Sequence, residues 1–229
     1  MALTEKLQNI GNAIREMTGD EYFYKLDEMP QRILSIQSEP PANELFRRII
    51  RAEQLTLSAE QLADCLPLRP FAFYRDDYMR VITLPSDAVS TGMYAFSNME
   101  ALQTVNISQS LEELSIGAFN NCTKLVNVNF PDYSHLTKID AWAFSGCSSL
   151  KTITIPAGVR ELYGVFSYCD KLESITFKGT PTTMANGGGT PMFYKCNSLT
   201  DIYVPWSEGK VAGAPWGAEY ATIHYNSEV

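Results

Sequence analysis

Apolar residues recur along this chain in one fixed frame. Phe96-x-x-Met99-x-x-Leu102-x-x-Val105-x-Ile107 is followed by Phe119-x-x-Cys122-x-x-Leu125-x-x-Val128-x-Phe130-Pro131, then by Phe144-x-x-Cys147-x-x-Leu150-x-x-Ile153-x-Ile155-Pro156. The frame continues through Phe166, Cys169, Leu172, Ile175 and Phe177, and again through Phe193, Cys196, Leu199, Ile202, Val204 and Pro205. A weaker copy precedes the others at Phe73, Asp76, Met79, Ile82, Leu84 and Pro85. The leading Phe advances by 23, 23, 25, 22 and 27 residues, while the spacing inside a copy never changes. A rigid internal frame with variable joints, at a period of roughly 20–50 residues, is the signature of a solenoid.

The last two apolar positions of each copy alternate with polar ones, which predicts a short strand with one buried face. The Phe, Cys and Leu positions before it are three residues apart, closer to a helical or 3₁₀ turn than to a strand. A single coil offers only about five inward side chains, too few to hold a fold, so a continuous core requires stacked neighbours. The Pro after several of the strands ends them and turns the chain outward.

Upstream of the repeats the periodicity changes. Leu3, Leu7, Ile10, Ile14 and Met17 are spaced 4, 3, 4 and 3, a heptad seam on a helix over residues 1–19 that Thr4 caps and Gly19 closes. That seam serves either attachment and oligomerisation or packing of an amphipathic helix on its own chain. A second helix carries Ile33, Leu34 and Ile36, completing a helical segment over residues 1–36. Residues 37–66 read as a linker, with Pro40 and Pro41, and an N-terminal cap containing a third helix over 44–52 and a short strand over 55–57. Residues 67–229 are the repeat domain, closed by a C-terminal cap from about residue 206, where Trp206 and Trp216 would seal the core. The expected class is an α+β solenoid of about six coils with a parallel sheet on one face, preceded by the small helical segment.

The wording of the frame, Ala-Phe-x-x-Cys-x-x-Leu-x-x-[Ile/Val]-x-[Ile/Phe]-Pro, resembles the BspA-type leucine-rich repeat over roughly residues 67–205. That repeat occurs in bacterial surface proteins, some protist proteins and phage proteins, and the resemblance implies a right-handed leucine-rich repeat coil. Asp76 and Met99 depart from it at the Cys position, Val165 and Met192 at the Ala position. Leu3-Thr4-x-x-Leu7-x-x-Ile10-x-x-Ala13-Ile14-Arg15-x-x-Thr18-Gly19, with Leu26-Asp27-Glu28-Met29-Pro30-x-x-Ile33, is similar to an N-terminal module of tail and other virion proteins from phages and prophages of Gram-positive hosts. The closing residues Val204-Pro205-Trp206, Ala214-Pro215-Trp216-Gly217-Ala218 and Ile223-His224-Tyr225 are similar to the ends of repeat domains in the same proteins. These resemblances imply a structural virion protein of tail, fibre or decoration type, assembled in the host cytoplasm. It would form a homo-oligomer, meet other virion proteins through residues 1–36, and present its repeats to a host-surface glycan or protein. A bacterial cell-surface adhesin and an intracellular interaction scaffold are the alternative readings.

Charge and composition narrow the field. A net charge of −8 without a basic stripe argues against a nucleic-acid footprint. No apolar run is long enough to span a membrane. The N-terminus lacks the basic region, apolar run and cleavage site of a signal peptide, so a chain that begins here is not expected to use the ordinary secretory route. Of five Cys, four (Cys122, Cys147, Cys169 and Cys196) share one repeat position, which suits small buried hydrophobes carrying free thiols rather than disulfides. No paired Cys-x-x-Cys supports a zinc site.

With only two His, a nucleophilic triad would need His135, in an inter-repeat insertion, or His224, in a terminal strand-like run. The Gly-rich stretch over 186–190 lacks the Lys and the helix of a phosphate-binding loop. The chain is therefore expected to be no enzyme and to carry no cofactor and no metal. What remains is the outer sheet face, where successive coils place Thr83, Asn106, Asn129, Thr154, Thr176 and Tyr203, preceded by Thr104, Asn127, Thr152, Ser174 and Asp201. Asn106, Asn129, Thr154, Thr176 and Tyr203 either form a ligand-binding face or are a polar ladder suited to any solvated parallel sheet.

Overall fold

A column of stacked phenylalanines runs through the molecule. Phe73, Phe96, Phe119, Phe144, Phe166 and Phe193 lie ring on ring, with centroids 5.3, 5.2, 5.7, 5.9 and 6.1 Å apart and planes within 11° of parallel. The computed structural model of the chain describes residues 56, 57, 59, 63, 68–76 and 79–228, all within a compact unit spanning Arg51–Val229. The expectations for the helical segment over 1–36, for the linker at 37–42 and for the helix over 44–52 lie outside the described residues.

Strand formation follows the frame. The strands are β1 (Thr56–Leu57), β2 (Val81–Thr83), β3 (Thr104–Asn106), β4 (Glu113–Leu114), β5 (Asn127–Asn129) and β6 (Lys138–Ile139). They continue as β7 (Thr152–Ile155), β8 (Glu161–Tyr163), β9 (Ser174–Phe177), β10 (Thr183–Ala185), β11 (Asp201–Tyr203) and β12 (Thr222–His224). All pair in parallel, in three sheets of four: β1-β2-β3-β5, β4-β6-β8-β10 and β7-β9-β11-β12. Register follows the repeat, so that Ile82, Val105 and Val128 align across the first sheet and Ile153, Ile175 and Ile202 across the third.

Three sheets replace the single one expected. The second sheet is built by the joints between copies, where Leu111 and Leu114, Leu136 and Ile139, and Val159 and Leu162 are buried. Each joint thus turns a pair of apolar residues inward at three-residue spacing and is a third side of the coil rather than a loop. The first and third sheets occupy the same position in successive coils but are not continuous. Among the described residues no main-chain hydrogen bond joins β5 to β7. Val128 and Phe130 are only half-buried there, whereas Val105, Ile107, Ile153 and Ile155 are buried. The break falls where the Phe-to-Phe step lengthens to 25 residues, the insertion holding exposed Tyr133 and His135.

From residue 68 onward the described residues contain no helix, so the class there is a β-solenoid rather than α+β. The arc through Phe, Cys and Leu is a run of tight turns instead. In five of the six copies the residues two before and two after the Phe both adopt positive φ, as in Tyr94 and Asn98, Gly117 and Asn121, and Trp142 and Gly146, and around Phe193 only Lys195 does. A left-handed residue ends a helix. The amides are also committed elsewhere, because the Phe N–H donates to the residue before the next Phe, as in Phe96 to Ala118 O at 2.9 Å and Phe119 to Ala143 O at 2.8 Å. Gly117 has a second reason to be glycine, since a Cβ there would overlap the Tyr94 ring of the preceding coil.

The Cys position has its own chemistry. Cys122, Cys147, Cys169 and Cys196 are buried free thiols. Their Sγ atoms donate to the carbonyls of Phe96, Phe119, Phe144 and Phe166 at 3.1, 3.3, 3.1 and 2.9 Å. Cys therefore fills a small apolar space and gives a buried carbonyl a donor. In the first copy Asp76 answers a different need, its Oδ1 accepting from the Met79 amide at 2.9 Å. At the far end Trp206 and Trp216 are buried edge to face, 6.4 Å apart, with Trp206 also packed on Phe177 at 5.5 Å.

Candidate functional site

The ladder of polar residues outside the strands splits into two unlike halves. In the first sheet the side chains bond to one another. Asn106 Nδ2 donates to Thr83 Oγ1 at 2.9 Å, Asn129 Nδ2 to Asn106 Oδ1 at 2.8 Å, and Asn127 Nδ2 to Thr104 Oγ1 at 3.3 Å. Asn106 and Asn129 are thus neighbours whose hydrogen-bonding capacity is partly consumed by the ladder itself. Thr154, Thr176 and Tyr203 belong to the third sheet, across the break, and share no sheet with them.

In the third sheet the hydroxyls of β7 and β9 and of Tyr203 are left open. Among the described residues, the hydroxyls of Thr152, Thr154, Ser174, Thr176 and Tyr203 make no hydrogen bond within the protein. This ladder ends in a cluster. Parallel pairing sets Asp201 beside Thr222 and Tyr203 beside His224. The Tyr203 and His224 rings stack at 4.5 Å, 12° from parallel. His224 Nε2 lies 2.7 Å from Asp201 Oδ1, while Thr200 Oγ1 donates to Asp201 Oδ2, also at 2.7 Å. These two hydrogen bonds, His224 first, hold the Asp201 carboxyl below the usual carboxylate range. The sequence places His224 in a terminal run without chemistry. The structure places it on the outer face, coupled to Asp201 and Tyr203, because the coil repeats once more at β12.

The second sheet offers another face that the frame does not reveal. Lys138 Nζ lies 2.8 Å from Asp140 and 3.6 Å from Glu113. The Asp140 hydrogen bond is the main cause of an upward shift of the Lys138 pKa. Tyr163 donates to Glu161 Oε2 at 3.1 Å, which raises its phenol pKa. An open groove of about 450 Å³ runs over this sheet between Glu113, Lys138, Arg160 and Glu161. Its charges are mixed, and Lys138 pairs with Glu113 across it. His135 and Tyr133 stand exposed on the insertion. Among the described residues no group of His, Cys, Asp and Glu is arranged to hold a metal ion, and no helix is long and apolar enough to cross a membrane. The seam residues Leu3, Leu7, Ile10, Ile14 and Met17 lie outside the described residues.

Stacked coils with parallel sheets, a buried Leu in each copy and a shared thiol position define a leucine-rich repeat solenoid. The profile of the BspA type leucine rich repeat region matches residues 67–200 in six copies, and the chain belongs to that family. No curated protein matches it. Among solved structures it is similar to a T. pallidum leucine rich repeat protein, at 29% identity and a TM-score of 0.47, over 55% of this chain and 58% of that one. It is also similar to a leucine rich cell surface protein of Faecalibacterium prausnitzii, at 26% identity and a TM-score of 0.45, over 59% of this chain and 32% of that one. The pneumococcal vaccine antigen PcpA matches at 22% identity and a TM-score of 0.48, over 63% and 34% of the two chains. The chain therefore spans between about a third and just under three-fifths of the length of these structures.

Proposed function

We propose that this solenoid is a non-enzymatic binding module displayed at a surface, and that it takes its ligand on the outer face of the third sheet. The observation that carries this reading is the contrast between the two ladders. Side chains of the first sheet bond to each other, whereas Thr154, Thr176 and Tyr203 present open hydroxyls beside the Asp201–His224 pair. Family membership supports a display role, because BspA-type repeats resemble those of bacterial surface proteins. The virion reading is the finer alternative and rests on the wording of residues 1–36. It requires that removing those residues abolish incorporation into particles.

The test of the binding face is a paired substitution. Thr154→Arg with Thr176→Arg blocks the third sheet, and Asn106→Arg with Asn129→Arg alters the first. Fluorescently labelled full-length protein is measured by flow cytometry on Gram-positive bacterial cells and on cultured epithelial cells. Binding to either should vanish in the first pair and persist in the second. Equal loss in both pairs, or in neither, overturns the assignment.

A further inference from the structure

We infer that the third-sheet face binds an uncharged sugar ring, stacked on the free side of Tyr203 above Thr176. This rests on the binding face proposed above and names its ligand class. The argument begins with the direction of the existing stack. β9, β11 and β12 are neighbours in register, with Thr176, Tyr203 and His224 side by side. The Tyr203 and His224 rings stack across the strands, so one face of Tyr203 is covered by His224 and the other is turned toward Thr176. Thr176 has a short side chain and is not buried, so the space above it is open. Adjacent strands lie about 4.8 Å apart, close to the 4.5 Å at which His224 already stacks. A ring lying over Thr176 would therefore meet Tyr203 at stacking distance and stand as the next rung of the aromatic ladder.

The floor of this step decides which ring it suits. It is made of Thr152, Thr154, Ser174 and Thr176, with no apolar side chain on the outer face of β7 or β9. An aromatic side chain from a protein partner would leave those hydroxyls without partners along its edge. A pyranose gains on both counts, offering an apolar C–H face to Tyr203 and hydroxyls to the threonines. The Asp201 carboxylate, oriented by hydrogen bonds with His224 and Thr200 at the back of the step, gives an acceptor for sugar hydroxyl groups. Charge selects among sugars, since a chain of net charge −8 repels sulfated or sialylated glycans. His224 acts as a positioning residue, backing the Tyr203 ring and orienting Asp201.

The experiment uses the full chain with methyl hexopyranosides and neutral hexose oligosaccharides as probes, followed by saturation-transfer and chemical-shift NMR. A neutral sugar should perturb the Tyr203, Thr176 and Thr154 signals. Tyr203→Ala should weaken binding roughly fivefold to tenfold, the effect of one lost aromatic stack, while Tyr203→Phe retains it. His224→Phe should keep the stacking and lose the contribution of Asp201, so that Asp201→Asn has little further effect in that background. On cells, periodate treatment should remove binding and protease treatment should leave it. Removal of binding by protease but not by periodate, with the third sheet still required, makes the ligand a protein and overturns the sugar assignment alone. Cell binding indifferent to Thr154→Arg and Thr176→Arg overturns the binding face itself. Preference for sialylated or sulfated oligosaccharides over neutral ones also overturns the inference.

Discussion

Gly117→Ala should be far more damaging than the same substitution at Gly189. Two costs add at this site. The first is conformational, since Gly117 has φ near +60°, and an L residue held in the left-handed region costs about 1–2 kcal/mol. The second is steric, because the new Cβ would overlap the Cδ1 and Cε1 atoms of Tyr94 and lie 2.9 Å from Cζ. Tyr94 is only 3% exposed and its ring stacks on Phe71 at 5.5 Å, so it has no free direction in which to retreat. Overpacking of a filled core costs about 1–3 kcal/mol, which brings the expected loss to about 2–5 kcal/mol.

Gly189 supplies the control. Its φ is +87° but nothing lies within 4 Å of a Cβ built there, so Gly189→Ala should cost only the conformational part. Urea denaturation followed by circular dichroism gives the midpoints and slopes for wild type, both single variants, Tyr94→Ala and the Gly117→Ala/Tyr94→Ala double variant. The double variant should be more stable than the sum of its singles by about 1–3 kcal/mol, the relieved overlap. Strict additivity, or equal losses for Gly117→Ala and Gly189→Ala, would show that these two coils do not meet in this register.

Other perturbations test the same architecture at different points. Leu150 is fully buried at the centre of its coil, and Leu150→Ala should cost about 2–5 kcal/mol by the same denaturation assay. The four repeat thiols should stay reduced and unreactive toward Ellman's reagent in native protein and react on unfolding, with mass spectrometry showing no native bridge between them. Burial lifts Cys122 and Cys196 to about 12 from 9.0, so the unfolded chain loses thiol protons first as pH rises. Stability should accordingly fall above pH 9.0, by on the order of 1 kcal/mol per such thiol at pH 10, and Cys122→Ala should reduce that alkaline loss. Asp201, with its pKa lowered, contributes stability that is present above its unfolded value of 3.8 and lost as pH falls through its folded value. An NMR titration should find its midpoint below the usual carboxylate range, moving back up in His224→Phe.

The inward frame is legible in sequence because its spacing does not vary, so that Phe119, Cys122, Leu125 and Val128 announce their coil before any coordinates. The second sheet is not legible in the same way. Its inward pairs, such as Leu111 with Leu114 and Leu136 with Ile139, are only two residues each, and their distance from the preceding anchor changes when the joint lengthens. The turns around each Phe are hidden too, because positive φ is carried by Tyr94, Trp142 and Tyr168 as readily as by glycine. Of the candidate site, Tyr203 and the threonines stand in the repeating row and are readable. The Asp201–His224 pair becomes visible only if Thr222-Ile223-His224 is recognised as one more copy of Asp201-Ile202-Tyr203. The two strands share just one Ile, and no leading Phe marks the later copy.

The break between β5 and β7 leaves one joint between coils without strand pairing on that side. A stack of coils pulled along its axis loads such a joint only on its remaining sides. Across this joint the tension falls on the turn row, with Phe119 to Ala143 O at 2.8 Å and Asn121 to Ser145 O at 2.7 Å, and on the short β4–β6 pairing. Parting there would leave β7, β9, β11 and β12 as one sheet, with Tyr203, His224 and Asp201 undisturbed on it. In the display role proposed above, the solenoid would then lengthen between coils while the face assigned to the ligand stays whole.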